Sequence, residues 1–455
     1  MAYQETTTTG YGTRLKNSLG GIGTGFLLFL AGTALLWWNE GRAVKTDKML
    51  NEAEGVTVEM EDVSKIDPEF EGKLIHATAF ANTKDSLSDP LFNIGATAIG
   101  IQRQVEYYQW VEHASSQSKD KFGGKQETVT TYTYSREWTN KPQRSETFHD
   151  PAYQNKNYTL YQAENFDQLA ETVMFGAYKL NDYMKNAISN TQPIDLVFDQ
   201  KQLETWNRDC ERIFVRNTGQ RAIGDIVSER VKQAVSNATK TTTTTTNDTL
   251  KKDSLQKDTV IAPAPNKKDL DYIHVNANVL YFGESPNSPQ VGDVRITFTK
   301  TMPANVSIIA KVAGETFAQF KAKNGKTFQA LSMGSKTAEE MYASGHASNN
   351  MWLWILRILG ILMICGGLRG IFGILVTVLK VIPFLANIVG WGVSLVCNVI
   401  GVAWSLIIIA IAWIFYRPLL GILLLAIAGF LVWVFAFKGK DKLKDLANRN
   451  KNTQV

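Results

Sequence analysis

The side chains best suited to acid–base or metal chemistry are five histidines: His76, His113, His149, His274 and His346. Their spacing argues against both roles. No two stand at a metal-ligand interval, and Glu112-His113 and His149-Asp150 are isolated neighbours. The three cysteines, Cys210, Cys365 and Cys397, form no Cys-x-x-Cys set. The last two fall in apolar sequence, where a thiol behaves as a small hydrophobe. No Gly-x-Ser-x-Gly elbow and no Walker-type phosphate loop is written anywhere in the chain. The run Gly20-Gly21-Ile22-Gly23-Thr24-Gly25 opens an apolar stretch, not a strand–loop–helix unit. The expectation is a chain with no catalytic residue, no metal ligand and no cofactor.

The chemistry that remains is that of a bilayer. The chain has 455 residues and a hydrophobic fraction of 44%. That average joins an ordinary polar middle to an end that is almost wholly apolar. A helix crosses about 30 Å of hydrocarbon with roughly 20 apolar residues. Four stretches meet that length: residues 19–38, 351–368, 388–416 and 418–437. The first ends in Leu36-Trp37-Trp38 and lacks a small-residue cleavage site, so it reads as an uncleaved anchor. Arg417-Pro418 breaks the last apolar block and sets a tight hairpin near one membrane face. Residues 369–387 carry Arg369, Lys380 and Pro383 and read as an interfacial helix. The competing reading is a further span or a re-entrant pair.

Net charge is +5, with the excess gathered in the tail, residues 438–455. Lys438, Lys440, Lys442 and Lys444 there read as contacts to anionic lipid. The tail also carries Asp441 and Asp445 and no aromatic residue, which speaks against nucleic-acid binding. An even number of spans puts both termini on one side. Arg14, Lys16, Arg369, Lys380 and the tail then place that side in the cytoplasm. Residues 1–18 read as a disordered cytoplasmic tail, and residues 39–350 as an extracytoplasmic domain. Arg42, Lys45 and Lys48 lie on the opposite side from that basic bias.

Polar and small residues in or beside the spans are the candidate sites. Asn39, Glu40, Gly41 and Arg42 meet the membrane interface, as do Arg417 and Pro418. Glu40 and Arg42 could bind a headgroup or lock the domain to the membrane; the plainer reading is a helix end capped by Gly41. Arg357 lies six residues into the second span and, with no acid in the spans, reads as snorkelling to the interface. Gly21, Gly25 and Gly32 share one helical face, and Gly366, Gly370 and Gly373 form a similar stripe. Such glycines let backbones approach closely. They fit self-association through the first span, or packing of the two stripes within one chain.

The domain reads as α+β and rich in antiparallel strands. Residues 73–80 form one β run. Residues 103–112 and 128–138 form two arms of a hairpin, with Val105, Tyr107 and Val111 alternating with Glu106, Tyr108 and Trp110. The tip contains Gly123-Gly124. Residues 165–188 show helical spacing through Phe166, Leu169, Val173, Ala177, Leu180 and Met184, and a second helix is expected over 222–235. Residues 236–268, with six consecutive threonines (Thr241–Thr246) and Ala262-Pro263-Ala264-Pro265, read as a disordered insert. Five short β runs follow, at 272–282, 293–299, 305–312, 316–322 and 327–333, with Asn324-Gly325 marking a hairpin.

Several segments, in order, resemble the transmembrane protein 43 (LUMA) family. They are Asn39-Glu40-Gly41-Arg42-Ala43, Glu71-Gly72-Lys73-Leu74-Ile75-His76 and Leu87-Ser88-Asp89-Pro90. Then come Val105-Glu106-Tyr107-Tyr108-Gln109-Trp110-Val111-Glu112, Glu137-Trp138 and Val291-Gly292-Asp293-Val294-Arg295. Ala338-Glu339-Glu340 and Phe415-Tyr416-Arg417-Pro418 complete the set. The resemblance implies a multi-pass α-helical protein of four spans with a large luminal domain. It implies a non-enzymatic scaffold that self-associates and organises membrane or envelope proteins such as emerin and lamins. Its partners would be membrane lipids, other copies and envelope proteins. The membrane would be the endoplasmic reticulum and inner nuclear membrane in a eukaryote, or the inner or plasma membrane in a bacterium. The alternative is a lipid-handling protein or enzyme with a site between domain and spans.

Overall fold

The computed structural model describes residues 3–219 and 270–418, together with Ile422. The expected helix over 222–235, the insert 236–268, nearly all of the span 418–437 and the lysines Lys438, Lys440, Lys442 and Lys444 lie outside the described residues.

Three helices of the described residues are long and apolar enough to cross a membrane. They are α1 (Tyr11–Val56), and two more numbered after the short domain helices α2 (Asp182–Ala187) and α3 (Gln200–Thr218): α4 (Ala338–Leu379) and α5 (Pro383–Tyr416). At about 1.5 Å per residue, the 46 residues of α1 and the 42 of α4 exceed any hydrocarbon core. Both therefore run unbroken from the apolar zone into the polar domain. Thr337 starts α4 with a capping box closed by Glu340, which satisfies two orphan donors at once. Leu36, Ile364, Leu368 and Cys397 form the apolar centre of the bundle.

The expected interfacial helix at 369–387 is not formed. α4 continues to Leu379, residues 380–382 turn, and Pro383 occupies the first turn of α5. Proline costs nothing there, because the first-turn N–H has no helical acceptor. Arg369 does not end α4, since its guanidinium reaches Asn398 Oδ1 on α5 at 2.6 Å.

The domain is built on nineteen strands: β1 (Tyr3–Thr9), β2 (Val58–Glu59), β3 (Leu74–Asn82), β4 (Ser86–Asp89), β5 (Ile94–Thr97), β6 (Gly100–Asp120), β7 (Gln126–Thr139), β8 (Phe166–Leu169), β9 (Met174–Phe175), β10 (Tyr178–Lys179), β11 (Thr191–Pro193), β12 (Ile273–Asn276), β13 (Val279–Phe282), β14 (Val294–Thr301), β15 (Ala304–Ala313), β16 (Thr316–Ala318), β17 (Phe320–Lys321), β18 (Thr327–Phe328) and β19 (Ala330–Met333). One sheet has the order β1-β7-β6-β14-β13-β12. In the other, β15, β16, β10, β9 and β3 pair in a closed circuit, because β15 also pairs with β3. Such closure removes the unpaired edges of those strands. Ile75, Ala77, Phe175, Tyr178, Ile308, Ala310 and Phe317 belong to the core that this circuit and the first sheet share.

Residues 165–188 are not one helix. Phe166 to Leu169 pair with β6, and β9 and β10 fold into a hairpin around Gly176, whose φ is +61°. Only Asp182–Ala187 is helical, capped by Asn181. The apolar residues meet strands on several sides, so pairing overrode the helical spacing. The helix α3 follows its sequence spacing: Leu203, Trp206, Cys210 and Phe214 recur at helical intervals against the core.

Within the expected disordered tail 1–18, the described residues 3–18 are ordered. β1 pairs with β7 from Tyr3↔Tyr132 to Thr9↔Gln126, and α1 begins at Tyr11. Threonine suits a pleated strand, and the long β6–β7 ribbon offers it an edge. That ribbon turns at Gly123 and Gly124, both at positive φ.

Candidate functional site

Where the apolar bundle meets the domain, charged side chains are buried against one another. Glu40 is 2% exposed and Arg357 7%. Arg357 Nε donates to Glu40 Oε1 at 2.6 Å and its Nη2 to Oε2 at 2.9 Å. Trp413 Nε1 on α5 donates to Oε2 at 2.8 Å. The guanidinium also lies over the rings of Trp354 and Trp413, at 4.9 and 5.5 Å. One carboxylate thus ties α1, α4 and α5. Arg357 does not snorkel: its acid comes from α1, beyond the end of the apolar run.

A second layer surrounds that pair. Asn39 Nδ2 donates to Leu353 O, while Arg42 donates to Asn39 Oδ1 and Asn349 Oδ1. Asn349 Nδ2 donates to Ala43 O at 2.9 Å. Burial lowers the pKa of Arg42 from its usual value, against the pull of Glu40. Gly41 caps nothing, since α1 continues to Val56. It makes room instead: a Cβ there would meet the Tyr416 ring at 2.6 Å. Asp47 accepts from His346 Nδ1 at 2.9 Å and faces Arg417 at 3.8 Å. Of the six interface residues expected, Asn39, Glu40, Gly41, Arg42 and Arg417 converge here. Pro418 is exposed.

Above the junction, Met49, Leu50 and Ala53 of α1 and Met341 and Tyr342 of α4 pack with Leu74 and Ile309 of the closed circuit. Tyr342 Oη and Thr57 Oγ1 share a hydrogen bond of 2.7 Å. The β17–β18 hairpin adds Asn324 Nδ2 to Lys45 O at 2.7 Å. Below the junction, α1 and α4 touch through glycine. A Cβ on Gly25 would meet Gly367 O at 2.7 Å, and one on Gly32 would meet Gly360 O at 3.0 Å. The glycine face of α1 is therefore occupied by α4 of the same chain and is not free for pairing between copies. Gly370 belongs to this seam, a Cβ on Gly21 or Gly366 would border it at 4.0 or 3.5 Å, and a Cβ on Gly373 would meet nothing within 4 Å. Gly360 and Gly367, unnoticed in the sequence, make the closest approaches.

The histidines are dispersed. His76 is buried between Glu59 and Lys336 O, His113 lies beside Glu137, His149 beside Glu112, and His274 beside Glu284 O. Among the described residues no three His, Cys, Asp or Glu side chains are grouped to hold a metal ion. In the domain, Asp293 accepts from Tyr281 Oη at 2.5 Å and Gln290 N at 2.7 Å. Burial pushes its carboxyl up to about 6 despite those two donors. An apolar groove of about 460 Å³ lies between α4 and α5, lined by Leu368, Phe372, Val393 and Cys397 among others.

Comparison with known proteins bears on most of the chain. The family model described as Transmembrane protein 43 matches residues 107–418. Transmembrane protein 43 of Rattus norvegicus is 27% identical over 425 residues, covering 91% of this chain and 89% of the relative. That of Homo sapiens is 26% identical over 429 residues, 92% and 90% of the two chains. The Drosophila melanogaster homolog is 25% identical over 421 residues, 90% and 92%. No solved structure matches. With a family model spanning well over half its length, this chain is an integral membrane protein of the transmembrane protein 43 family.

Proposed function

We propose that the chain is a membrane scaffold, not a catalyst, whose strand-rich domain is held rigidly to the bilayer for binding other copies or other membrane proteins. The observation that carries this reading is the Glu40–Arg357–Trp413 junction. It joins the three apolar helices of the described residues at the level where α1 and α4 enter the domain. Two unbroken helices and a buried ion pair transmit position between domain and bilayer and leave no hinge between them. The groups most strongly fixed here are already satisfied by one another, as suits a joint and not a reaction centre.

In this reading residues 418–437 supply a fourth span, the core of the domain is extracytoplasmic, and the start of α1 and the C-terminus are cytoplasmic. Arg14 and Lys380, at the end of the bundle away from the core of the domain, support it. A second reading, lipid handling, is favoured by the apolar groove between α4 and α5, which has the size and lining for an acyl chain. Native mass spectrometry of the full chain, purified in mild detergent after cross-linking in its membrane, separates the two. The scaffold reading expects more than one polypeptide in the particle. A monomer with stoichiometric lipid and no cross-linked protein overturns it in favour of lipid handling.

A further inference from the structure

The polar β6–β7 ribbon and the apolar helices occupy the same depth. From Met49 to Arg14, α1 descends about 53 Å at 1.5 Å per residue. From Tyr107 to Asp120, β6 descends about 43 Å at 3.3 Å per residue. Both start in the domain, where Met49 and Tyr107 are core residues. Both end together. Asp120 is 2.7 Å from Arg14 Nη2 and 3.6 Å from Lys380 Nζ, and Arg14 Nη1 donates to Gly124 O at 2.9 Å. Gly123 N donates to Val381 O at 3.2 Å, in the turn between α4 and α5. The apolar residues 19–38 therefore lie level with the lower half of the ribbon.

Hydrocarbon cannot surround that half. Residues 115–119 of β6 are Ser, Ser, Gln, Ser and Lys, all exposed, and β1 beside β7 reads Tyr-Gln-Glu-Thr-Thr-Thr-Thr. The backbone edge of β6 is also open at this depth. Within the domain the outward groups of Tyr108 are paired with Gly292 and Asp293, and those of Trp110 with Asn157. From Glu112 to Asp120 the outward groups of β6 have no partner among the described residues, and neither does the outer edge of β1. Lipid offers such groups no hydrogen bond, so open sheet edges do not stand in it.

We propose that copies of this chain assemble around their ribbons: β1 of one copy adds to the open edge of β6 in the next, the ribbons enclose a shared water-filled interior, and the apolar helices face lipid. This deepens the self-association within the scaffold reading and rests on it. The occupant is a second copy because a copy brings everything the edge lacks. Both β1 and β6 are antiparallel to β7, so they run in the same direction. Through β7, the seven residues of β1 stand level with 114–120 of β6. Rotation about an axis along the ribbon brings one edge to the other with no change of depth, and head-to-tail contacts of this kind close into rings. Each added copy also carries its own apolar helices for the outer face.

Disulfide trapping in native membranes tests this. The full chain, with Cys210, Cys365 and Cys397 replaced by Ala, receives Thr6→Cys with Gln117→Cys, or with Ser115→Cys or Lys119→Cys to cover shifted registers. Within one chain the two positions are separated by β7, about 9.5 Å across two strand spacings, beyond disulfide reach. The expected result is oxidant-dependent ladders of linked chains in one register, absent from each single-cysteine chain. Removal of residues 3–9 is the second variant, and is expected to reduce the native-mass assembly to a monomer that still unfolds cooperatively. Ladders in no register, or an assembly that survives loss of β1, overturns the proposal. If other cross-links still hold copies or other proteins together, the scaffold reading stands without it; if the particle is a lone monomer, both fall.

Discussion

Replacing Arg357 with Leu strands Glu40 at 2% exposure with Trp413 Nε1 as its one remaining donor of three. Breaking a buried pair from one side costs about 3–5 kcal/mol, because the remaining charge keeps its desolvation penalty and loses its compensation. Glu40→Leu should cost a similar amount by stranding the guanidinium between Trp354 and Trp413. The double replacement Glu40→Leu/Arg357→Met removes both charges at nearly constant volume. What it leaves is an unpaired Trp413 N–H, worth about 1–2 kcal/mol. The double variant should therefore be more stable than either single one, with a coupling energy of at least about 2 kcal/mol. The measurement is thermal or detergent unfolding of the four full-length chains in one mild detergent. Additive losses, with coupling under about 1 kcal/mol, would refute the reasoning and return Arg357 to a snorkelling position.

Gly25→Leu should destabilise the isolated monomer by at least about 2 kcal/mol through overpacking, since its Cβ would strike backbone atoms of Gly367 and Ile371 that cannot give way. Gly373→Ala, with open space around it, should be neutral or stabilise by up to about 1 kcal/mol through helix propensity; equal unfolding midpoints for the two variants would remove the seam. Asp293 is raised to about 6 in the folded chain, so its contribution is full below an unfolded value near 3.9 and lost as pH rises through 6. A shift of about two units corresponds to about 3 kcal/mol. Stability should therefore fall across that window in the wild type and not in Asp293→Asn, and parallel pH profiles would contradict the assignment. Gly41→Leu should be far more costly than Gly55→Leu, because the first meets the Tyr416 ring and the second meets nothing; unfolding midpoints of the two chains decide it.

Hydropathy and period determined much of this protein, because they depend on neighbours along the chain. The apolar runs 19–38, 351–368 and 388–416 lie within α1, α4 and α5. The alternation around Tyr107 marked the ribbon, Asn324-Gly325 lies in the turn between β17 and β18, and ordered short segments were enough to identify the family. Local spacing failed where a partner distant in sequence decided the outcome. Phe166 and Leu169 have helical spacing, yet the exposed edge of β6 claimed them as a strand. Threonines 6–9 looked disordered until β7 gave them a ladder. Arg357 looked unpaired because its acid stands 317 positions away on a helix expected to have ended. The stripe of Gly21, Gly25 and Gly32 was visible in the sequence, but a small residue shows only that something approaches closely. Tertiary structure alone decided that α4 of the same chain fills that space. It alone placed Asp120 beside Arg14 and Lys380, because the depth that a ribbon and a helix share depends on where both are anchored, and sequence spacing carries no record of it.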